Sequence, residues 1–240
     1  MTQTIDSFDF PKGRKLADKY RVLEKIGEGW EGEIYLVQEI STKIELAAKF
    51  FYPKRNRSNK TLVTYAKKLN RVRHCSLAIQ YHSQEKIRFK GQDVFMLVSE
   101  FVEGELLKDF LARQPRKQLS AFQALHLLYE LTKGIEEFHK AKEYHGDLHA
   151  ENIIIRRAGL GFDLKLIDMY DWRDSKRSNQ KEDIVDLIKI FYDALGGKKY
   201  YAKHPKVVKT LCCGLRRDLI LKKFKTVRQL KEAIESLEWD

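Results

Sequence analysis

The chain has 240 residues, 43% of them hydrophobic and 11% aromatic, enough apolar material for a folded core, which excludes wholesale disorder. No apolar run approaches the ~20 residues needed to cross a bilayer, and the start, MTQTIDSFDFPKGRK, lacks the apolar stretch of a secretion signal, so a cytoplasmic protein with no membrane contact is expected. A formal net charge of +12 fits an acidic partner, a phosphate-rich substrate or merely a soluble surface.

In chain order, residues 1–19 read as a loosely held N-terminal lead-in. From Tyr20 the pattern is strand-like: YRVLEKI alternates and runs into glycines, EIYLVQEI follows, and IELAAKFF stops at Pro53. Residues 60–73 change to helical period, with Leu62, Tyr65, Leu69 and Val72 on one face. The stretch from Lys54 to Arg73 carries eight basic residues, and no Asp or Glu occurs from Leu46 to Gln84. It reads either as a solvated helix face or as a dock for an acidic partner, with nucleic acid not expected. DVFMLVSEFV is a further buried strand.

Beyond residue 101 the chain turns helical. Ser120 and Gln123 form a capping box that opens a helix over SAFQALHLLYELTKGIEEFHKA. NIIIRR and FDLKLID predict a hairpin around Gly159 and Gly161, and DIVDLIKIFYDAL predicts an apolar helix stopped at Gly196-Gly197. The amphipathic segment TVRQLKEAIESLEW closes the chain. Cys75, Cys212 and Cys213 make an odd count without Cys-x-x-Cys spacing, and are expected to be reduced, inert thiols. The expected organisation is a β-rich lobe over 20–100 and a helical lobe over 101–240, forming one domain.

Four stretches carry chemistry. Gly27, Gly29 and Gly32 give G-x-G-x-x-G, whose missing Cβ atoms let backbone amides approach a phosphate. Alone the motif is weak, since any glycine-rich hairpin satisfies it, and here a strand rather than a helix follows. AAKFF then places a single cation, Lys49, on an apolar strand. YHGDLHAENIII concentrates His145, Asp147, His149, Glu151 and Asn152 before three isoleucines, and LKLIDMYD ends a strand at Asp168. A metal site built on His139, His145 and His149 has no established zinc spacing to support it.

In this order the stretches resemble the protein-kinase superfamily from about Tyr20 to Leu195: a G-x-G-x-x-G-x-V loop with Ile34 at the valine position, the V-A-I-K strand, H-R-D-L-x-x-x-N and the D-F-G strand. The resemblance implies an α+β, bilobal fold, with a small antiparallel sheet and one helix in the first lobe and a mostly helical second lobe. It implies an ATP- and magnesium-dependent phosphotransferase. Asp147 would be the base, Lys49 would grip the phosphates, and Asn152 and Asp168 would hold the metal. Gly27, Gly29 and Gly32 would cover the phosphates, while Ile34, Ala47 and Ile154 would sandwich the adenine. Glu100 to Val102 would hydrogen-bond it at the hinge, with Ser99 as gatekeeper and Glu105 towards the ribose. Asp183 would brace the catalytic loop. Trp30, at the tip of the glycine loop, either covers substrate or is an incidental exposed aromatic.

The departures are specific. Gly146 replaces the arginine that grips a phosphorylated activation loop, and Tyr170 replaces the D-F-G glycine. Only fifteen residues separate Asp168 from Asp183, with no A-P-E between them. The helix position whose glutamate normally pairs with the strand lysine is occupied by Tyr65, which leaves Lys49 to Asp168, to phosphates or to another group. His149 stands where Ser/Thr kinases have lysine, and HGDLH is similar to the loop of small-molecule phosphotransferases. The expected activity is therefore that of a compact, eukaryotic-like kinase of bacterial type, phosphorylating Ser/Thr hydroxyls of a protein substrate. Two alternatives stay open: a kinase for sugar or aminoglycoside hydroxyls, and a pseudokinase-like module that binds nucleotide and docks a polyanionic partner through residues 54–73.

Overall fold

The structure, a computed structural model, describes residues 4–159, 161–172 and 174–238. Contacts divide the chain into two units, one of residues 1–73 and 79–102 and one of residues 74–78 and 103–240. The division falls two residues later than expected, and residues 74–78 belong with the second unit. The reason is local. Leu166 N donates to Leu77 O at 2.8 Å, Ala78 bridges Leu166, and Ser76 N donates to Glu137 Oε2 at 2.6 Å.

The first unit is an antiparallel sheet of β1 (Lys15–Leu16), β2 (Tyr20–Glu28), β3 (Gly32–Glu39), β4 (Glu45–Phe51), β5 (Tyr81–Phe89) and β6 (Gln92–Glu100), in the order β1-β2-β3-β4-β6-β5. Among the described residues one α-helix joins it, α1 (Lys60–Arg71). Register assigns the two faces. Ile34 pairs with Lys49 and Leu36 with Ala47, while Lys49 pairs with Leu97 and Ala47 with Ser99. Side chains alternate along a strand and paired residues share a side, so Ile34, Ala47, Lys49 and Ser99 lie on one face. The other face, with Tyr35, Ala48, Phe50, Met96 and Val98, is core.

That core corrects the expectation of a loose lead-in. Ile5, Phe8, Phe10 and Leu16 are all buried in it. The Phe8 ring lies 5.5 Å from Phe50 and 5.4 Å from Tyr52, and Phe8 N donates to Glu33 Oε1 at 3.0 Å. Burying each such aromatic contributes roughly 1.5–3 kcal/mol, which is ample to hold the strap. Irregular spacing hid it, because Ile5, Phe8 and Phe10 match neither the strand nor the helix period.

The basic stretch is not one uniform exposed face. Lys68 is fully buried, Lys54 pairs with Asp6 from the strap, and the Arg55 guanidinium sits 3.7 Å from the centre of the Trp30 ring. The acid absent from the local sequence thus arrives from the N-terminus for one of these cations.

The second unit holds a small antiparallel sheet, β7 (Glu105–Leu106), β8 (Ile153–Ala158) and β9 (Gly161–Leu166), in that order. Its helices are α2 (Leu107–Arg113), α3 (Ala121–Lys140), α4 (Lys176–Ala194), α5 (Lys198–Tyr201), α6 (Lys206–Cys212), α7 (Arg217–Lys223) and α8 (Val227–Glu235). The Ser120–Gln123 capping box is present. Leu127, Leu131, Ile135 and Phe138 of α3 are buried, as are Ile184, Leu187, Ile188 and Phe191 of α4, and α3 packs on both α4 and α8. Helix α4 begins seven residues before Asp183, capped by Ser175 accepting from Ser178 N. Its first two turns, KRSNQKE, are polar, so apolar periodicity did not reveal them. No described helix is long and apolar enough to cross a membrane.

Candidate active site

In the first unit, Lys49 emerges from β4 with its side chain 10% exposed. Its ammonium donates to Glu31 Oε2 at 2.8 Å and lies 5.3 Å from the centre of the Phe51 ring and 5.5 Å from that of Tyr65. Tyr65 occupies the inward helical position expected for it, and a carboxylate for Lys49 comes instead from the glycine loop. Glu31 is a functional candidate that sequence reasoning missed, since the family pattern directs attention to the helix. Ile34 and Ala47 are half-buried beside Lys49, and Ser99 is 5% exposed. Glu100 is held by a reciprocal pair of bonds, its N donating to Gln80 O and its Oε1 accepting from Gln80 N.

The glycines of the loop differ in what they do. Gly29 N donates to Gly32 O at 2.9 Å, closing the turn. A Cβ at Gly32 would lie 1.7 Å from the Phe50 carbonyl oxygen, so the third glycine is required by the approach of β3 to β4. A Cβ at Gly29 would meet nothing within 4 Å. Sheet packing alone explains Gly32, whereas Gly29 faces open space.

In the second unit the loop from Glu143 to Asn152 is built on a buried carboxylate. Asp183 of α4 is fully buried. Its Oδ2 accepts from His145 N at 2.9 Å and lies 3.0 Å from His139 Nε2, and its Oδ1 accepts from Gly146 N at 3.0 Å. Buried carboxylates are stable only when bonded in this way. His145, also fully buried, accepts from Asp147 N through Nδ1 (3.3 Å) and contacts Ile167 O through Nε2 (3.0 Å). Nδ1 thus acts as acceptor and Nε2 as donor, which is the neutral tautomer. The brace and both histidines leave the Asp147 side chain 49% exposed, able to meet an acceptor.

Asn152 is 7% exposed. Its Nδ2 donates to Asp147 O at 2.8 Å and to Asp147 Oδ2 at 3.1 Å, which turns its Oδ1 the other way. His149 Nε2 lies 3.0 Å from Asn152 Nδ2 and 3.5 Å from Asp147 Oδ2, so a ring nitrogen approaches the Asp147 carboxylate. Ile167 N donates to Asn152 O at 3.0 Å, tying the strand end before Asp168 to the same loop. Asp168 takes a left-handed conformation, φ +55°, which asparagine and aspartate tolerate best among non-glycine residues and which gathers at functional sites. Ile154 is half-buried between fully buried Ile153 and Ile155. Glu105 pairs with Arg113.

The segment after Asp168 is laced to the loop by hydrogen bonds. Tyr170 N donates to His145 O at 3.0 Å, and Trp172 Nε1 donates to Gly146 O. Tyr144 Oη donates to Asp171 Oδ1 at 3.0 Å and to Trp172 O at 3.1 Å. Burial and the Asp171 carboxylate push the Tyr144 hydroxyl well above its usual range, so it remains a donor. Gly146 has φ +85°, and a Cβ there would lie 2.8 Å from both Tyr144 Cε2 and Tyr170 O. The position normally filled by arginine has no room for a side chain. Tyr144, Asp171 and Trp172 were invisible as site residues in the sequence, since no spacing rule marks them.

A cavity of about 570 Å³ opens beside Asp147, lined by residues 146–150, Trp172 and one face of α4. Asp174, Glu182, Asp186 and Asp193 line it, against a single lysine, Lys189. Burial holds the Asp186 and Asp193 carboxyls above their usual range.

Residues 20–210 match the family model described as protein kinase domain. The chain is 30% identical over 160 residues to the serine/threonine-protein kinase pkn2 of Myxococcus xanthus, covering 66% of this chain and 18% of that protein. It is 26% identical over 211 residues to human death-associated protein kinase 2, covering 87% and 53%. It therefore spans about half or less of the length of these two relatives. The solved kinase domain of Mycobacterium tuberculosis PknI, a double mutant, superposes with a TM-score of 0.67 over 95% of this chain and 98% of that one at 16% identity, a likeness of fold.

Proposed function

The chain belongs to the protein kinase family, and from that premise we propose that it transfers the γ-phosphoryl group of ATP, with magnesium, to Ser/Thr hydroxyls of a protein, with Asp147 as the base. The observation that carries this reading is the Asp147 carboxylate, held by Asn152 and braced through the loop by buried Asp183. The acceptor hydroxyl gives its proton to Asp147 as its oxygen bonds to the γ-phosphorus and the bond to ADP breaks. Phosphoryl transfer asks mostly for positioning and charge neutralisation, so a fixed carboxylate at hydrogen-bond distance suffices.

Asn152 Oδ1 and the Asp168 carboxylate suit magnesium, which takes one or two protein oxygens and fills the rest with phosphate and water. When bound, the ion neutralises charge on the phosphates. On the first unit, Lys49 would bind the phosphates, the glycine loop would cover them, and Ile34, Ala47, Ser99 and the backbone of Glu100 to Val102 would receive the adenine. Three free thiols and the use of ATP support a cytoplasmic setting.

The acid-lined cavity beside Asp147 favours an acceptor with cationic groups near the hydroxyl: a basic protein segment first, an amine-bearing small molecule second. Labelled ATP with magnesium, offered to a basic protein, to an acidic protein and to an aminoglycoside, separates these. Label on the basic protein, abolished by Asp147→Asn, is the expected result. Label confined to the aminoglycoside moves the reading to the second acceptor, and no label on any acceptor contradicts it.

A further inference from the structure

The glycine loop makes a contact that its glycines do not explain. Glu31 stands between Gly29 and Gly32, and its backbone is fixed at both ends: Tyr52 N donates to Glu31 O at 2.9 Å, and the Gly29–Gly32 bond closes the turn around it. From that anchored position its carboxylate reaches Lys49 Nζ at 2.8 Å, with the two side chains 24% and 10% exposed. Such a pair is far less screened than a surface one. The helix side of the same ammonium is aromatic, with Tyr65 7% exposed and its ring 5.5 Å away. No carboxylate exists anywhere between residues 46 and 84 to take its place.

We propose that Glu31 is the positioning residue for Lys49, supplying from the glycine loop the carboxylate that α1 does not carry. The inference rests on the reading of Lys49 as a phosphate-binding group. Its consequence is that the lysine is aimed by the sheet and its own hairpin. Tyr52 N and Glu31 O join the far end of β4 to the loop, so strand, loop and ion pair form one element on the sheet side of Lys49. The ammonium has three donors and no acceptor. One directed at Glu31 restricts the rotamer of a long flexible side chain. An arrangement in which Glu31 merely competes with nucleotide for the charge predicts the opposite effect of removing it.

Glu31→Gln removes the charge and keeps the shape. Glu24→Gln is the control, an exposed carboxylate on β2 outside the loop. Tyr65→Glu, added to Glu31→Gln, puts a carboxylate at the helix position, reaching into the space the ring now fills. Steady-state kinetics with magnesium-ATP should show kcat reduced about tenfold or more in Glu31→Gln with little change in KM for ATP, because misplacing a reacting group costs on this order. Glu24→Gln should match the wild type, and the Glu31→Gln/Tyr65→Glu double variant should regain most of the lost kcat. Wild-type or raised activity in Glu31→Gln overturns the proposal, as does failure of Tyr65→Glu to rescue in a protein that melts normally.

A cycle of Glu31→Gln, Lys49→Met and their combination, read by melting temperature, tests the pair without any turnover. Single variants that each lower the melting temperature, with a double no worse than either, support the contact. Strict additivity refutes it. If the wild type transfers no phosphate, the functional reading fails while this cycle still decides the pairing.

Discussion

Replacing Gly146 by alanine tests how the catalytic loop is built. The residue has φ +85°, and a left-handed conformation costs an L-residue roughly 1–2 kcal/mol. The new Cβ would stand 2.8 Å from Tyr144 Cε2 and 2.8 Å from Tyr170 O. The first neighbour is a ring fixed by hydrogen bonds to Asp171 and Trp172, and the second is backbone, so neither yields cheaply. Overpacking of this kind costs typically about 1–3 kcal/mol, giving ~2–5 kcal/mol in all. For a chain of this size each kcal/mol lowers the melting temperature by about 2–4 °C.

Gly91→Ala is the matched control. Gly91 has φ +75° but nothing within 4 Å of its would-be Cβ, so it carries the backbone cost alone, roughly 1–2 kcal/mol. Urea unfolding of both variants, with midpoints compared at equal slope, isolates the crowding. Gly146→Ala should be the less stable of the two by at least about 1 kcal/mol and should lose transferase activity, since Gly146 N and O hold Asp183 and Trp172. A Gly146→Ala no worse than Gly91→Ala refutes the claim that packing excludes a side chain there. It would also return the missing arginine to being a matter of regulation alone.

Two further outcomes follow from the titrating groups. Burial pushes Glu33 up, but hydrogen bonds from Tyr35 and from Phe8 N, helped by Lys25, outweigh it and bring its pKa below the ordinary 4.5. A depressed folded-state pKa stabilises above the unfolded value and ceases to do so as pH falls through the folded one. Glu33→Gln should therefore lower the urea midpoint at pH 7, and its gap from the wild type should close below about pH 4; a gap that widens on acidification reverses the sign. Burial pushes Cys75 to about 11 and Cys212 to about 12. At pH 8 about one Cys75 in a thousand is thiolate, so a thiol reagent should modify the native protein slowly, Cys213 first, and all three cysteines at once in urea. Rapid native labelling of Cys75 or Cys212 would contradict their burial.

Much of the fold was legible because local signals agreed with it. The alternation in β2, the apolar run Ile153–Ile155 that opens β8 and the Ser120–Gln123 cap each marked an element that is present. Elements whose stability is tertiary were not. Tyr81–Phe89 is an edge strand with alternate residues exposed, and its sequence YHSQEKIRF carries little β-branched character. The strap from Ile5 to Phe10 has no period, and the first turns of α4 have no apolar face.

The candidate site divides in the same way. Asp147, Asn152, Asp168 and Lys49 stand at motif positions and could be named from spacing. Glu31 and the Tyr144–Asp171–Trp172 lacing act across the chain, the first between residues 18 apart and Tyr144–Asp171 between residues 27 apart. Only the paired backbone of β3 and β4, or the turn after Asp168, brings those groups together.

The central claim, that Asp147 is the base for phosphoryl transfer from ATP, is tested most directly by measuring ATP affinity and transfer rate together in Asp147→Asn. Asparagine keeps the shape, the loop and the Asn152 contact to the backbone oxygen, so nucleotide affinity should stay near that of the wild type. The transfer rate should fall by about a hundredfold or more, the usual loss when a general base is removed. An Asp147→Asn protein that transfers phosphate at close to the wild-type rate would contradict the account.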